Sequence, residues 1–278
     1  MIQTVKVVDA GNDKRLNSIR VTINPNQKGN AVISLHNGSI ENPAYWSWHL
    51  WAPADEINEI TYVNQEPLDA SYNFINAMDS DDPPLTTTFM DRNLGAIHDL
   101  PIEALTNPEV EELQNEVKLS GGLHFQWGRK DPIPSFKYVG GDAYQISKGV
   151  SVSDAGVVNY QTINSAEYQQ SYSKPYSTYK QQANVLSTDN KYMEAKKIIQ
   201  YSVQNPLTFL HKGTTESSDW VSSEMAVASD RWGHAQKKSI YDPCPKDWRV
   251  PDVFKVYENG KGNSPWYNGK KLGSTQGT

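Results

Sequence analysis

The chain has 278 residues, 37% of them hydrophobic, and a net charge of −6 with acidic and basic residues interspersed. That length holds one large domain or two ordinary ones with a real core, and the charge balance excludes an electrostatic hold on nucleic acid or anionic lipid. A single cysteine, Cys244, excludes an intrachain disulfide and a multi-cysteine metal site, and no apolar run approaches the ~18 residues of a membrane span.

Residues 1–65 read as short strands at Thr4–Val8, Ser18–Ile23, Asn30–Leu35, Tyr45–Trp51 and Glu59–Val63, each rich in β-branched or aromatic residues. Turn formers separate them: Asn24-Pro25-Asn26, Lys28-Gly29-Asn30 and Asn37-Gly38 tolerate or preset the dihedrals that fold a strand back on its neighbour. A β-rich portion of sheet or sandwich type, immunoglobulin- or transthyretin-like, is expected over 1–65. In Tyr45–Trp51, period-2 alternation sends Trp46, Trp48 and Leu50 to one face and Ser47, His49 and Trp51 to the other, and the first is the expected core face.

Beyond residue 66 the pattern changes to long polar connections with two amphipathic helices. In the first, Asn107 caps, Pro108 takes the first helical position, Val110, Leu113 and Val117 share a face, and Gly121 ends it. In the second, Asp189 or Asn190 caps a helix with Tyr192, Ala195, Ile198, Ile199 and Val203 inward, stopped by Asn205-Pro206. Between them, Phe136–Lys180 is polar, rich in Ser and Gln, and carries seven tyrosines from Tyr138 to Tyr179. That composition predicts long functional loops, with the aromatics arguing against full disorder.

Two strings in this second part, Phe89-Met90-Asp91-Arg92-Asn93-Leu94-Gly95-Ala96 and Gly121-Gly122-Leu123-His124-Phe125-Gln126-Trp127-Gly128-Arg129-Lys130-Asp131-Pro132, precede a third, Ile240-Tyr241-Asp242-Pro243-Cys244-Pro245-Lys246-Asp247-Trp248-Arg249-Val250-Pro251. In this order they resemble the Fibrobacter succinogenes major paralogous domain of fimbrillin-associated surface proteins, and the resemblance touches residues from about 29 to 251. It departs at Asp247, where the family usually has Gly, and in stopping soon after Pro251, where the family continues; the C-terminus therefore reads as truncated. The resemblance implies an α+β, β-rich chain whose residues 66–278 form a C-type-lectin-like mixed domain. It also implies a mature location outside the inner membrane, a role in surface display or fimbrial-tip adhesion, and no catalytic residue, cofactor or metal. Residues 1–30 lack the basic-then-apolar pattern of a secretion signal, as a mature or shortened form would. Trp46 and Trp48, in a segment that resembles what precedes the major paralogous domain, and Asp91, Arg92, Asn93, Trp127, Arg129, Asp242, Cys244, Trp248 and Arg249 of the motifs are the expected structural residues.

Chemistry-bearing groups have two readings each. Asp91-Arg92 and Arg129-Lys130-Asp131 suit either carboxylate or glycan recognition by forked hydrogen bonds, or an ion-pair network bracing neighbouring strands. Asp79, Asp81 and Asp82 suit calcium or an acidic turn, without the Gly and distal Glu of an EF-hand loop. The six histidines show no zinc spacing, and Cys244 between two prolines reads as a packed thiol. Tyr168, Tyr172, Tyr176, Tyr179 and Trp220 are the candidate ligand-binding residues, because Tyr offers a flat apolar face, a hydroxyl tip and few rotors to freeze; filling short strands is their other role. Three functions follow: a non-catalytic surface binding module for a glycan or protein, a structural subunit assembling with other fimbrial subunits by strand exchange, or a glycan-active enzyme.

Overall fold

A computed structural model describes residues 1–13, 17–63, 86–99, 117, 119–134, 136–151, 157–211, 219–222, 231–234 and 237–250. The architecture is mixed α+β, with many short strands and few helices. By its contacts the chain forms two compact units, Met1–Glu56 with Arg92–Arg231, and Ile57–Asp91 with Trp232–Thr278. The β-rich segment expected over 1–65 thus contributes to both.

In the first unit, β1 (Ile2–Val8) pairs antiparallel with β2 (Ser18–Ile23), and β3 (Gly29–His36) with β4 (Ala44–Ala52). The β-branched and aromatic runs form these strands where expected. The alternation in β4 is also present, but burial does not follow it: Trp46, His49, Leu50 and Trp51, from both faces, are half-buried. Ser47 is 1% exposed while Trp48 is 37% exposed, and Leu35, on the Trp48 face of β3, is 39% exposed. Buried Lys130 and Asp131, which bind Ser47, hold it inward, and a pattern of apolar residues cannot announce them.

β7 (His124–Phe125) and β8 (Pro132–Ile133) form a short antiparallel pair. The tyrosine-rich segment is not a long irregular connection. β9 (Phe136–Gly140), β10 (Ala143–Ser151) and β11 (Val157–Asn164) make an antiparallel three-stranded sheet. Gly140 and Gly141, both at positive φ, turn β9 into β10. Asn164 ends β11 and caps α1 (Ser165–Ser171), its side chain accepting from the Glu167 amide at 2.8 Å. β12 (Ser173–Pro175) then pairs in parallel with β13 (Phe209–His211).

α2 (Tyr176–Gln182) and α3 (Lys191–Gln204) surround the main core of this unit, which is Tyr179, Ala195, Ile198, Tyr201, Leu210, Trp220 and Val221. Asn190 caps α3, accepting from the amides of Tyr192 and Met193, and Asn205 closes it. Ala195 and Ile198 face inward as expected, but Tyr192 is 69% exposed and Tyr201 takes the buried place. The helical repeat explains this: positions 194/195, 198 and 201/202 fall on one stripe, and a residue six before Ile198 lies about 120° off it. Of the helix expected from Pro108, only its last turn falls among the described residues, where Val117, Leu119 and Ser120 are helical. Val117, expected inward, is exposed; residues 107–116, like Asp79, Asp81 and Asp82, lie outside the described residues.

The second unit contains the hairpin of β5 (Glu59–Val63) and β6 (Thr86–Met90), and the short pair β14 (Gly233–His234) and β15 (Lys237–Lys238). Asp91 closes the first hairpin: its Oδ2 accepts from the Asn58 backbone at 3.1 Å and from the Asn58 amide at 3.2 Å.

Candidate functional site

The three motif strings supply Arg92, Arg129, Lys130, Asp131 and Asp242 of the buried polar residues, and all of these but Asp131 hold backbone. Arg92 is buried and donates to the Ile97 carbonyl at 3.4 Å and the Glu56 carbonyl at 3.0 Å. The turn it serves is latched from above as well. The Asn30 amide donates to the Gly95 carbonyl at 2.7 Å, and the Trp51 indole to the Ala96 carbonyl at 2.8 Å. Gly95 has φ +85, and a Cβ there would sit 2.7 Å from Leu123 Cγ, so both conformation and space require glycine.

Arg129 is a helix cap reached from far away in sequence. Its guanidinium donates to the carbonyls of Ser202 at 3.1 Å, Asn205 at 2.7 Å, Pro206 at 3.0 Å and Thr208. These are carbonyls of the last turn of α3 and the chain just beyond, which otherwise lack intrahelical partners and carry the negative end of the helix dipole. Burial pushes the guanidinium down to about 10, with Asp131 and Tyr201 opposing the shift; it stays cationic at neutral pH.

Lys130 and Asp131 form a buried pair at 2.6 Å. The ammonium also donates to the Ser47 carbonyl at 2.9 Å and to Ser47 Oγ, and lies 4.6 Å from the centre of the Trp46 ring. Ser47 Oγ donates to Asp131 Oδ2 at 2.9 Å. His49 lies on the same strand face. Because the Asn30 amide nitrogen is engaged by Gly95, its oxygen accepts from His49 Nε2 at 2.9 Å. Burial, partly offset by Asp131, lowers the imidazole to about 4, so it is neutral at pH 7. A hydroxyl between an ammonium and a carboxylate has the parts of a nucleophile, but here all three are sealed inside and brace β4 against residues 129–131. Of the two roles weighed for Arg129-Lys130-Asp131, the bracing network is the one built.

Trp220 lies between Arg129 and Arg231, 5.9 and 5.2 Å from their guanidinium carbons, and donates from Nε1 to the Trp127 carbonyl at 2.7 Å. Arg231 in turn holds Asp219 at 3.1 Å. Gly128, at φ +81, leaves the room that Arg231 fills: a Cβ there would lie 2.0 Å from Nε.

Of the residues expected to bind ligand, Tyr168, Tyr179 and Trp220 are buried, and Tyr172 and Tyr176 are half-buried. Tyr179 is 0% exposed, and its hydroxyl donates to the Trp220 carbonyl at 2.9 Å. Tyr168 packs with Ile163 and Tyr172, and Tyr176 packs on the main core with its hydroxyl on buried Glu194. Tyr179 and Trp220 have no face to offer a ligand; burial of their large rings supplies core instead.

In the second unit, Asp242 organises the proline turn, accepting from the Cys244 amide at 2.9 Å and the Val250 amide at 3.0 Å. Lys238 donates to the carbonyls of Cys244, Pro245 at 2.7 Å and Trp248 at 2.7 Å. Burial and neighbouring Asp242 push the Cys244 thiol up to about 12, far from a thiolate nucleophile. Asp247 has φ +70, the left-handed conformation that glycine adopts without strain.

Several apolar side chains remain outward on the strands. Trp48 and Leu35 on β3–β4, Tyr45 at the start of β4, and Val5 and Val7 on β1 are all exposed. These faces are the candidate binding surface, and the alternation of β1 and β4 is the sequence signal that finds them once the core is assigned to α2 and α3. Comparison with protein-family models, curated proteins and solved structures returns no match.

Proposed function

We propose that this chain is a non-catalytic binding module displayed on a bacterial surface, and that it engages a protein partner through the outward face of the β3–β4 hairpin. One observation carries the reading: Ser47 is buried against Lys130 and Asp131, while the next residue of β4, Trp48, and Leu35 of β3 keep over a third of their surface in solvent. Exposed tryptophan on a rigid strand provides large contact area at little entropic cost, the quality of interface hot spots. The surface location, the fimbrial setting and a lectin-like architecture for residues 66–278 come with the resemblance of the three motifs. The motif residues hold turns, the part that a display scaffold asks of them.

The test is a pull-down and array screen of host and bacterial surface proteins and glycans with the purified chain, repeated with Trp48→Ala and Leu35→Ser. Saturable binding of a protein that drops at least tenfold in these variants, each still melting cooperatively, supports the proposal. Binding that is insensitive to both substitutions overturns it, as does a glycan ligand alone.

A further inference from the structure

The β1–β2 hairpin is a second amphipathic ribbon, and its charges specify what adds to it. Val5 faces Val21 and Val7 faces Ile19 across the ladder, making one apolar face; Thr4 faces Thr22 and Lys6 faces Arg20 on the other. Lys6 and Arg20 are both exposed and lie directly opposite each other, a like-charge cross-strand pair that weakens the ribbon. Neither has a carboxylate partner among the described residues.

Exposure rises toward β1: Val5 is 47% and Val7 63% exposed, while Ile19 and Val21 on β2 are partly buried. Among the described residues β1 pairs only with β2, so every second residue of β1 directs its N–H and C=O away from the ribbon, the arrangement that accepts another strand. We infer that β1 is a strand-addition site for an extended protein segment that alternates apolar and acidic residues. Period-2 geometry sets this chemistry. In an added strand the apolar side chains extend the Val5–Val7 face, and the acidic ones fall beside Lys6, with Arg20 one strand further, about 10 Å away, so that they offset the Lys6–Arg20 repulsion. This deepens the binding-module reading at a surface separate from Trp48, so each can fail without the other.

The experiment uses the full chain and fluorescence anisotropy with three labelled seven-residue peptides: one alternating Val and Glu, one alternating Val and Lys, and one with the Val/Glu composition in two blocks. The Val/Glu alternating peptide is expected to saturate, with the other two at least tenfold weaker and the preference shrinking as salt rises. Lys6→Glu/Arg20→Glu is expected to reverse the preference toward the Val/Lys peptide, which shows that the variant is folded and the site intact. Trp48→Ala leaves the result unchanged. Equal binding of the three peptides, no saturation by any, or a preference that survives the charge reversal overturns the proposal. So does sedimentation showing that the chain occupies this edge itself, as a dimer that the charge reversal dissociates.

Discussion

The Arg129 latch and the β1–β2 ribbon break the ordinary rule of polar-out, apolar-in in opposite directions. Residues 126–131 bury an arginine, a lysine and an aspartate, and the ribbon exposes valines. Where polar groups are inside, Arg129 donates to the Ser202 carbonyl of the last turn of α3 and to carbonyls of the segment after it, of which Asn205 also accepts from the Thr208 amide at 3.3 Å, so burial of the charge serves the end of the helix. Where apolar groups are outside, the described residues offer no such account. The first region therefore explains stability, and the second asks for a partner.

Removing the guanidinium is the most direct way to break this contrast. Arg129→Met should destabilise the chain by about 4 kcal/mol, because the carbonyls of Ser202, Asn205, Pro206 and Thr208 lose their donor inside the protein. Urea denaturation would show it as a lower midpoint, and a loss under 1 kcal/mol would mean that these carbonyls find other donors.

His49 gives a pH handle on the same interior. Its folded-state pKa of about 4 lies below the unfolded value of about 6.5, so the unfolded chain binds the extra proton first. The contribution of His49 is complete above pH 6.5 and is lost as pH falls toward 4, on the order of 3 kcal/mol. His49→Gln should remove that slope while lowering stability at pH 7. Denaturation curves at pH 7, 5.5 and 4.5 that stay parallel for the two chains would contradict a buried neutral imidazole.

Asp247→Gly should raise stability by up to about 1 kcal/mol, because an L-residue at φ +70 is strained and glycine is not. A thermal melt that falls instead would mean that the Asp247 side chain supports the turn. Trp48→Ala should cost about 1 kcal/mol, because the ring is 37% exposed and the rest of it is covered. A loss of about 4 kcal/mol or more would place Trp48 in the core and remove it from the candidate surface.

Much of the fold was legible where one local signal suffices. The strands of residues 1–63 and the caps of α3 are written in β-branched runs and in Asn190 and Asn205-Pro206, whose effects are local. The sheet from β9 to β11 is hidden in the sequence because Ser and Gln on strand faces resemble loop composition, although Gly140-Gly141 marks its hairpin turn. Faces and partners were less legible. Ser47 is inward because Lys130 and Asp131 lie 83 and 84 residues away, and Arg129 caps carbonyls 73 to 79 residues on; no spacing rule connects such positions. For the tyrosines, chemistry alone could not choose between recognition and core, since an amphipathic ring serves both.

The proline turn around Cys244 has a use that follows from its closure. The chain has one cysteine, and its thiol is held protonated by burial and Asp242. An alkylating reagent therefore meets a single target that reacts slowly while Asp242 and Lys238 keep residues 238–250 folded, and at the ordinary rate once they let go. Labelling followed by intact mass would time the opening of this loop, molecule by molecule, without a probe being added to the protein.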